Sequence, residues 1–127
     1  MKKDIESVED IHRLVEAFYE KIKEDALLAP FFTEKIKVNW KKHISIMTAF
    51  WENAIFYNGA YAGNPIQTHR RINQLYPLTE VHFNQWLLLF KNTVDELFEG
   101  VRAEQIKQKA LSIATIMKIK VIGVYQK

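Results

Sequence analysis

The chain has 127 residues, of which 48% are hydrophobic and 26% charged, and its formal net charge is +3. This length and composition predict one globular domain over residues 1–127, with a core large enough to fold without disulfides or a structural metal. The mild charge does not indicate a nucleic-acid partner, and the absence of cysteine excludes disulfides, cysteine-based zinc sites, iron–sulfur clusters, and haem held by a thiolate or by C-x-x-C-H attachment.

The first half of the chain predicts two long helices. Apolar residues recur at steps of three and four between Ser7, where the first helix begins, and Asp25, near which it ends. A short segment over 27–32, interrupted by Pro30, follows it. Asn39 is a good N-cap for the second helix, whose two overlapping apolar rows predict that it is covered on more than one side.

The second half predicts a short helix and two further long ones. Asn64 and Pro65 mark the start of the short helix, which we expect to end near Ile72. Thr79 caps a third long helix that Gly100 stops. In the last segment the helical pattern outweighs a strand-like tail and predicts a helix to about Ile122. Its stripe consists of Ile106, Ala110, Ile113, Ala114, Met117, Val121 and Val124. The predicted fold is therefore all-α, with four main helices.

Neither a signal peptide nor a membrane span is indicated. The basic residues at 1–3 are followed by acidic residues instead of an apolar stretch. The longest apolar runs, such as 86–90, are far shorter than the roughly 18 residues that a span needs. We therefore expect a cytoplasmic protein with no membrane partner.

The chain lacks phosphate loops and hydrolase or metalloprotease motifs, so its four histidines and its many aromatic residues are the candidates for chemistry. His12 and His82 lie off the apolar stripes and are expected to be solvated or structural. His43 shares a row with Met47 and could be either a pocket residue or a core-edge histidine bonded to the backbone. His69 lies on the short polar helix, which has little apolar surface to anchor it.

Tyr19 and Trp86 lie on the first and third long helices, at or beside the apolar stripes. Both could simply pack in the core. A buried phenol or indole nevertheless needs a hydrogen-bond partner. Because the two residues lie on different helices, their polar tips could point into one cavity.

Several short motifs follow one another along the chain in order. They are Phe18-Tyr19-Glu20-Lys21, Pro30-Phe31-Phe32, Trp40-Lys41-Lys42-His43 with Phe50-Trp51, Thr68-His69, and Phe83-Asn84-Gln85-Trp86-Leu87-x-Leu89-Phe90. In this order and at these separations, from about residue 7 to residue 122, the chain resembles the truncated haemoglobins, specifically their third bacterial group.

The resemblance implies a two-over-two helical sandwich around a non-covalent haem b. It implies that His69 is the proximal iron ligand. It places three side chains on the distal side, where a ligand would bind: Tyr19, His43 and Trp86. It also implies a set of haem-contacting residues: Phe32, Met47, Phe50 and Phe83. Arg70 and Arg71 are candidates for the haem propionates, by their proximity to His69.

The resemblance further implies reversible binding of O2 at ferrous iron. Other expected partners are NO, CO or peroxide, and redox chemistry on them would need an external reductase. The pattern leaves open whether the protein is a carrier or an enzyme. The alternative is a helical interaction module without haem, in which the aromatic residues are core and His43 and His69 are incidental.

Overall fold

The computed structural model describes residues 2–61 and 63–123, and these contain helices and no strand. The elements are α1 (Val8–Glu24), a π-helical turn (Phe31–Lys35), α2 (Trp40–Phe56), α3 (Pro65–Leu75), α4 (Glu80–Leu97) and α5 (Val101–Ile122). The all-α prediction is confirmed, and the strand-like tail is helical up to Ile122. Val124, the last member of the predicted stripe, lies outside the described residues.

Local capping signals set the starts of three helices. The Asn39 side chain accepts a hydrogen bond from the Lys42 backbone N–H at 3.2 Å, and Asn64 accepts one from the Gln67 N–H at 3.1 Å. At α4 the backbone N–H of Thr79 donates to Nδ1 of His82 at 3.0 Å. This bond needs an unprotonated Nδ1, and burial together with the Lys35 charge lowers the pKa of His82.

Two elements differ from the prediction. Helix α3 continues to Leu75, three residues beyond the predicted end, because it is Pro77 that stops it by holding Tyr76 in an extended conformation. The segment after Pro30 forms a π-helical turn, in which the Ile36 N–H donates to the Phe31 carbonyl at 2.9 Å. This turn directs Phe31 toward His82 and Phe32 toward Tyr19, with ring centroids 5.0 Å and 5.8 Å apart respectively.

The long helices form two layers, each an adjacent pair: α1 with α2, and α4 with α5. Contacts between α1 and α4 and between α2 and α5 join the layers into a two-over-two sandwich, while α3 packs beside α5. The interior is aromatic at its centre, where Phe18, Trp51 and Phe90 are buried. None of the described helices combines the length and apolarity needed to cross a membrane.

The N-terminal segment caps α5. The Asp4 carboxylate accepts hydrogen bonds from the backbone N–H groups of Arg102 and Ala103 at 3.0 and 2.9 Å. Gly100 permits this approach, because its φ is +143° and a Cβ there would collide with the Asp4 side chain. Burial raises the pKa of Asp4, but these backbone hydrogen bonds outweigh it, so the net pKa is lowered.

Replacing Asp4 with Ala should lower the free energy of unfolding by about 1 kcal/mol, since the first N–H groups of α5 lose their acceptor. The loss should be present above pH 3.8, the ordinary pKa of the carboxyl. This loss of stability should disappear as the pH falls through the lowered pKa of Asp4 in the folded protein, because the Asp4 carboxyl of the parent protein is then protonated as well. Denaturant unfolding measures it. Glu6→Ala is the control, and an equal effect of both variants would contradict the cap.

Candidate functional site

Tyr19 and His43 meet at the edge of the core, between α1 and α2. The Tyr19 side chain is buried, and its ring contacts the His43 ring edge-to-face at a centroid distance of 4.9 Å. Phe32 contacts both rings, at 5.8 Å from Tyr19 and 5.6 Å from His43. The structure therefore brings together three side chains that lie on different elements and were predicted to line one pocket.

His43 carries a buried nitrogen without a partner. Its Nε2 is shielded from solvent and has no hydrogen-bond partner among the described residues. Leaving such a group unpaired costs about 1–3 kcal/mol, so an unpaired one in a folded protein indicates that something else approaches it. Burial lowers the pKa of His43, and the charge of His69 lowers it further. His43 is thus a neutral imidazole with one buried nitrogen to which no described residue bonds.

The ring of His69 is held in place by its own helix. Its Nδ1 lies 2.7 Å from the carbonyl oxygen of Pro65, one turn earlier in α3. Because a carbonyl only accepts, Nδ1 donates, and the lone pair of the neutral ring is on Nε2. Burial lowers the pKa of His69 by more than this hydrogen bond raises it. A neutral imidazole whose second nitrogen is fixed by a carbonyl is the usual form of a metal-binding histidine.

The two histidines are coupled electrostatically. A charge on His69 affects the pKa of His43, so the rings lie within electrostatic range although they belong to α3 and α2. Phe83 of α4 is buried, with its ring 6.5 Å from that of His69.

No group of three His, Asp or Glu side chains that could hold a metal occurs in residues 2–61 and 63–123. A single histidine is enough as the protein's ligand when the metal is bound within a macrocycle that supplies the other ligands.

Trp86 is connected to this cluster through Phe18. The Trp86 and Phe18 rings meet edge-to-face at 6.0 Å, and Phe18 meets Tyr19 at 4.9 Å. On its other side the indole stacks with Phe90 at 5.6 Å and an interplanar angle of 9°. Trp86 is half-buried, whereas Tyr19 is buried, and Phe18 joins the two in one aromatic cluster.

The other predicted haem contacts lie on α2 and α3. Met47 and Phe50 are half-buried against the core. Arg70 donates its Nε–H to the Lys120 carbonyl at 2.8 Å, and Arg71 is exposed. The bond from Arg70 was not predicted, and neither was that from Asn73 to the Val121 carbonyl at 3.3 Å. These bonds anchor α3, which has no buried residue, to the end of α5.

His12 and His82 serve the scaffold, as expected. His12 is half exposed, and its Nε2 lies 3.0 Å from a Glu16 carboxylate oxygen. His82 closes the cap of α4. Neither joins the cluster around His43 and His69.

A two-over-two helical fold with a carbonyl-fixed histidine on one helix and a buried neutral histidine among aromatic rings on another points to a haem-binding protein of the globin class. Comparison with known proteins agrees. The family model of the bacterial-like globins matches residues 4–121. The chain is 31% identical over 118 residues to the group 3 truncated hemoglobin ctb of Campylobacter jejuni, with 91% of each chain covered. The crystal structure of a group III truncated hemoglobin from Campylobacter jejuni superposes with a TM-score of 0.83 at 29% identity, over 95% of both chains.

The chain belongs to the bacterial-like globin family, among its truncated haemoglobins of group III. The resemblance seen in the sequence is therefore confirmed, and so is the truncated-globin fold. Membership of this family indicates that the protein binds small ligands by means of haem. The non-haem interaction module is no longer a competing interpretation.

The coupling of the two histidines predicts their titration in the haem-free protein. His69→Ala should raise the pKa of His43, because it removes the positive charge that opposes protonation of that ring. NMR titration of the histidine ring protons measures it, and His12→Ala is the control. An unchanged pKa for His43 in the His69 variant would contradict the electrostatic coupling of the two rings.

Proposed function

We propose that this globin binds haem b with His69 as the proximal ligand, and reversibly binds O2 at the ferrous iron on the side of Tyr19, His43 and Trp86. The observation that carries the proposal is the buried Nε2 of His43, which has no partner among the described residues. The candidate ligand is His69, whose ring is fixed through Nδ1 and whose Nε2 is left to bind a metal. Haem b is favoured over haem c because the chain has no cysteine for thioether attachment.

The proximal role of His69 is supported by its bond to Pro65. That hydrogen bond fixes the ring orientation and the tautomer, and it makes the opposite nitrogen more basic. It lies within a single helical turn, so α3 needs no apolar contact to aim the ring. Bound haem would supply the iron at which a diatomic gas coordinates.

The distal side chains are suited to hold a ligand that gains negative charge. Dioxygen bound to ferrous iron draws electron density, and hydrogen-bond donors in a dry pocket stabilise that charge. Burial raises the pKa of Tyr19, so its hydroxyl stays protonated and available as a donor. Trp86 contributes an indole N–H, which is a donor only. The neutral His43 ring can donate or accept according to its tautomer.

The pocket walls would be formed by the predicted apolar residues. These are Phe32, Met47, Phe50 and Phe83, each buried or half-buried. Arg70 uses its Nε–H on Lys120, and the rest of its guanidinium keeps donors for a haem propionate. Arg71 is exposed beside it.

A polar distal side also suits chemistry on the bound ligand. NO, CO and peroxide are further ligands that we propose for the same position. Repeated redox turnover would draw electrons from an external reductase, and we place the protein in the cytoplasm. O2 binding is the activity that the arrangement of donors supports best.

Replacing His69 with Ala should remove most haem retention, or leave haem that added imidazole rescues, because no other described histidine offers a bare nitrogen fixed in this way. Replacing His43 with Ala should leave a five-coordinate ferrous spectrum with a histidine ligand. Absorption and resonance Raman spectra of ferric, ferrous and CO forms measure both. The assignment is reversed if the His43 variant loses haem and the His69 variant keeps the iron–histidine signal.

Removing one distal donor should speed O2 release about ten- to a hundredfold, because a hydrogen bond to a charged group contributes about 1.5–3 kcal/mol and about 1.4 kcal/mol is one decade. Tyr19→Phe and Trp86→Phe remove the donor and keep an aromatic ring. Stopped-flow dissociation rates measure the effect.

CO is the internal control for this prediction. It carries little charge when bound, so its release should change much less than that of O2 in both variants. An O2 rate equal to that of the parent in both, or a CO rate that shifts as much as the O2 rate, would show that these rings act only by packing.

A further inference from the structure

Three aromatic rings behind the pocket are nearly parallel. Trp86 stacks on Phe90 at 5.6 Å and 9°, Phe90 stacks on Trp51 at 4.6 Å and 20°, and Trp86 lies 6.5 Å from Trp51 at 17°. Trp51 and Phe90 are buried. Core packing requires only that the space be filled. This arrangement also brings two indoles close together, and an indole is readily oxidised by one electron.

The row of rings continues from the core to the loop after α2. Phe50 meets Trp51 edge-to-face at 5.1 Å, and on its other side it meets Tyr61 at 5.1 Å. Tyr61 is half-buried, so its phenol reaches the surface. A side chain at position 63 would collide with this phenol, so Gly63 lets it lie against the loop. The rings thus connect Trp86, at the pocket, to a tyrosine in contact with solvent.

Tyr61 differs electrostatically from other aromatic residues that reach the surface. The ammonium of Lys23 lies 4.7 Å from the Trp40 ring, and those of Lys109 and Lys35 lie 5.2 Å from the rings of Tyr57 and Tyr76. A cation over a ring is attracted to its electrons and disfavours the loss of one. In residues 2–61 and 63–123 no Lys or Arg lies over Tyr61 in this way. Among these four surface rings, Tyr61 is therefore the one whose oxidation no such cation opposes.

We propose that Tyr61, Trp51 and Trp86 form an electron-transfer route that joins the pocket to the surface, with Tyr61 as the site where a small reductant delivers its electron. The proposal rests on the haem-binding function given above. The chain has no cysteine, so tryptophan and tyrosine are its side chains best suited to this role.

The electrons balance for one equivalent of hydrogen peroxide in the pocket of the ferrous protein. Peroxide gains two electrons and two protons and becomes two water molecules as its O–O bond breaks. Tyr61 gives one electron through Trp51 and Trp86, and the iron gives the other as it becomes ferric. The phenolic proton of Tyr61 is released to solvent, and the two protons that peroxide takes up come from solvent, so the net uptake is one proton. A phenolic or enediol reductant then returns a hydrogen atom to the neutral tyrosyl radical.

The test uses full-length, haem-loaded ferrous protein mixed with one equivalent of peroxide and frozen for electron paramagnetic resonance. A parallel sample with a nitroso spin trap is digested to locate the adduct by mass spectrometry. The parent should show a tyrosyl radical and an adduct on Tyr61. Tyr61→Phe should lose most of that signal. The matched controls Tyr57→Phe and Tyr76→Phe remove surface tyrosines that carry a cation, and they should retain it.

A second variant tests the route itself. Trp51→Phe keeps Tyr61 in place and should suppress its radical, because the middle indole is gone; if this variant does not fold, the tyrosine variants decide. A tyrosyl signal of parental intensity in the Tyr61 variant overturns the route. So does haem-loaded protein that leaves peroxide unreduced, or that reduces it without any protein radical. If the parent protein shows no haem absorption, or does not bind O2, before peroxide is added, the result contradicts the proposed function instead.

Discussion

The packing of Phe90 between Phe18 and Trp51 is the contact on which the rest of this structure depends. Phe90 belongs to α4, and its fully buried ring meets Phe18 of α1 edge-to-face at 5.2 Å and Trp51 of α2 in a stack at 4.6 Å. Three of the four long helices are therefore fixed at one point. Successive residues on a helix diverge by about 100°, so Phe18 can face this point while Tyr19, next to it, faces Phe32 and His43. Trp86, one turn before Phe90, stacks on Phe90 and meets Phe18 at its edge.

The electrostatics of the pocket follow from this apolar setting. Burial lowers the pKa of both His43 and His69, and a charge on His69 further opposes protonation of His43. Both rings are consequently neutral near neutral pH, which is the state in which an imidazole nitrogen binds a metal. Tyr19 is kept protonated by the same burial. One physical cause, removal from water, thus keeps both imidazoles and the phenol uncharged.

Local signals in the sequence were sufficient for most of the fold. Asn39, Asn64 and Thr79 mark helix starts because a cap acts within three residues of itself. Contacts between distant segments were missed: the Asp4 carboxylate that caps α5 lies almost a hundred positions away from the groups it binds. The candidate site shows the same difference between local signals and long-range contacts. The motifs supplied candidate residues for the site, whereas the link from Tyr19 through Phe18 to Trp86 depends on how α1 meets α4.

Helix α3 shows how far stability and function are separated in this chain. The aromatic centre holds α1, α2 and α4 together without any contribution from α3, which has no buried residue. Its attachment is polar, through Arg70 and Asn73 to the last carbonyls of α5. Hydrogen bonds of this kind contribute about 1 kcal/mol each, which is little for an eleven-residue helix. The helix that carries His69 is therefore the element whose order can respond most to a bound group, while the core that positions Tyr19 and Trp86 stays unchanged.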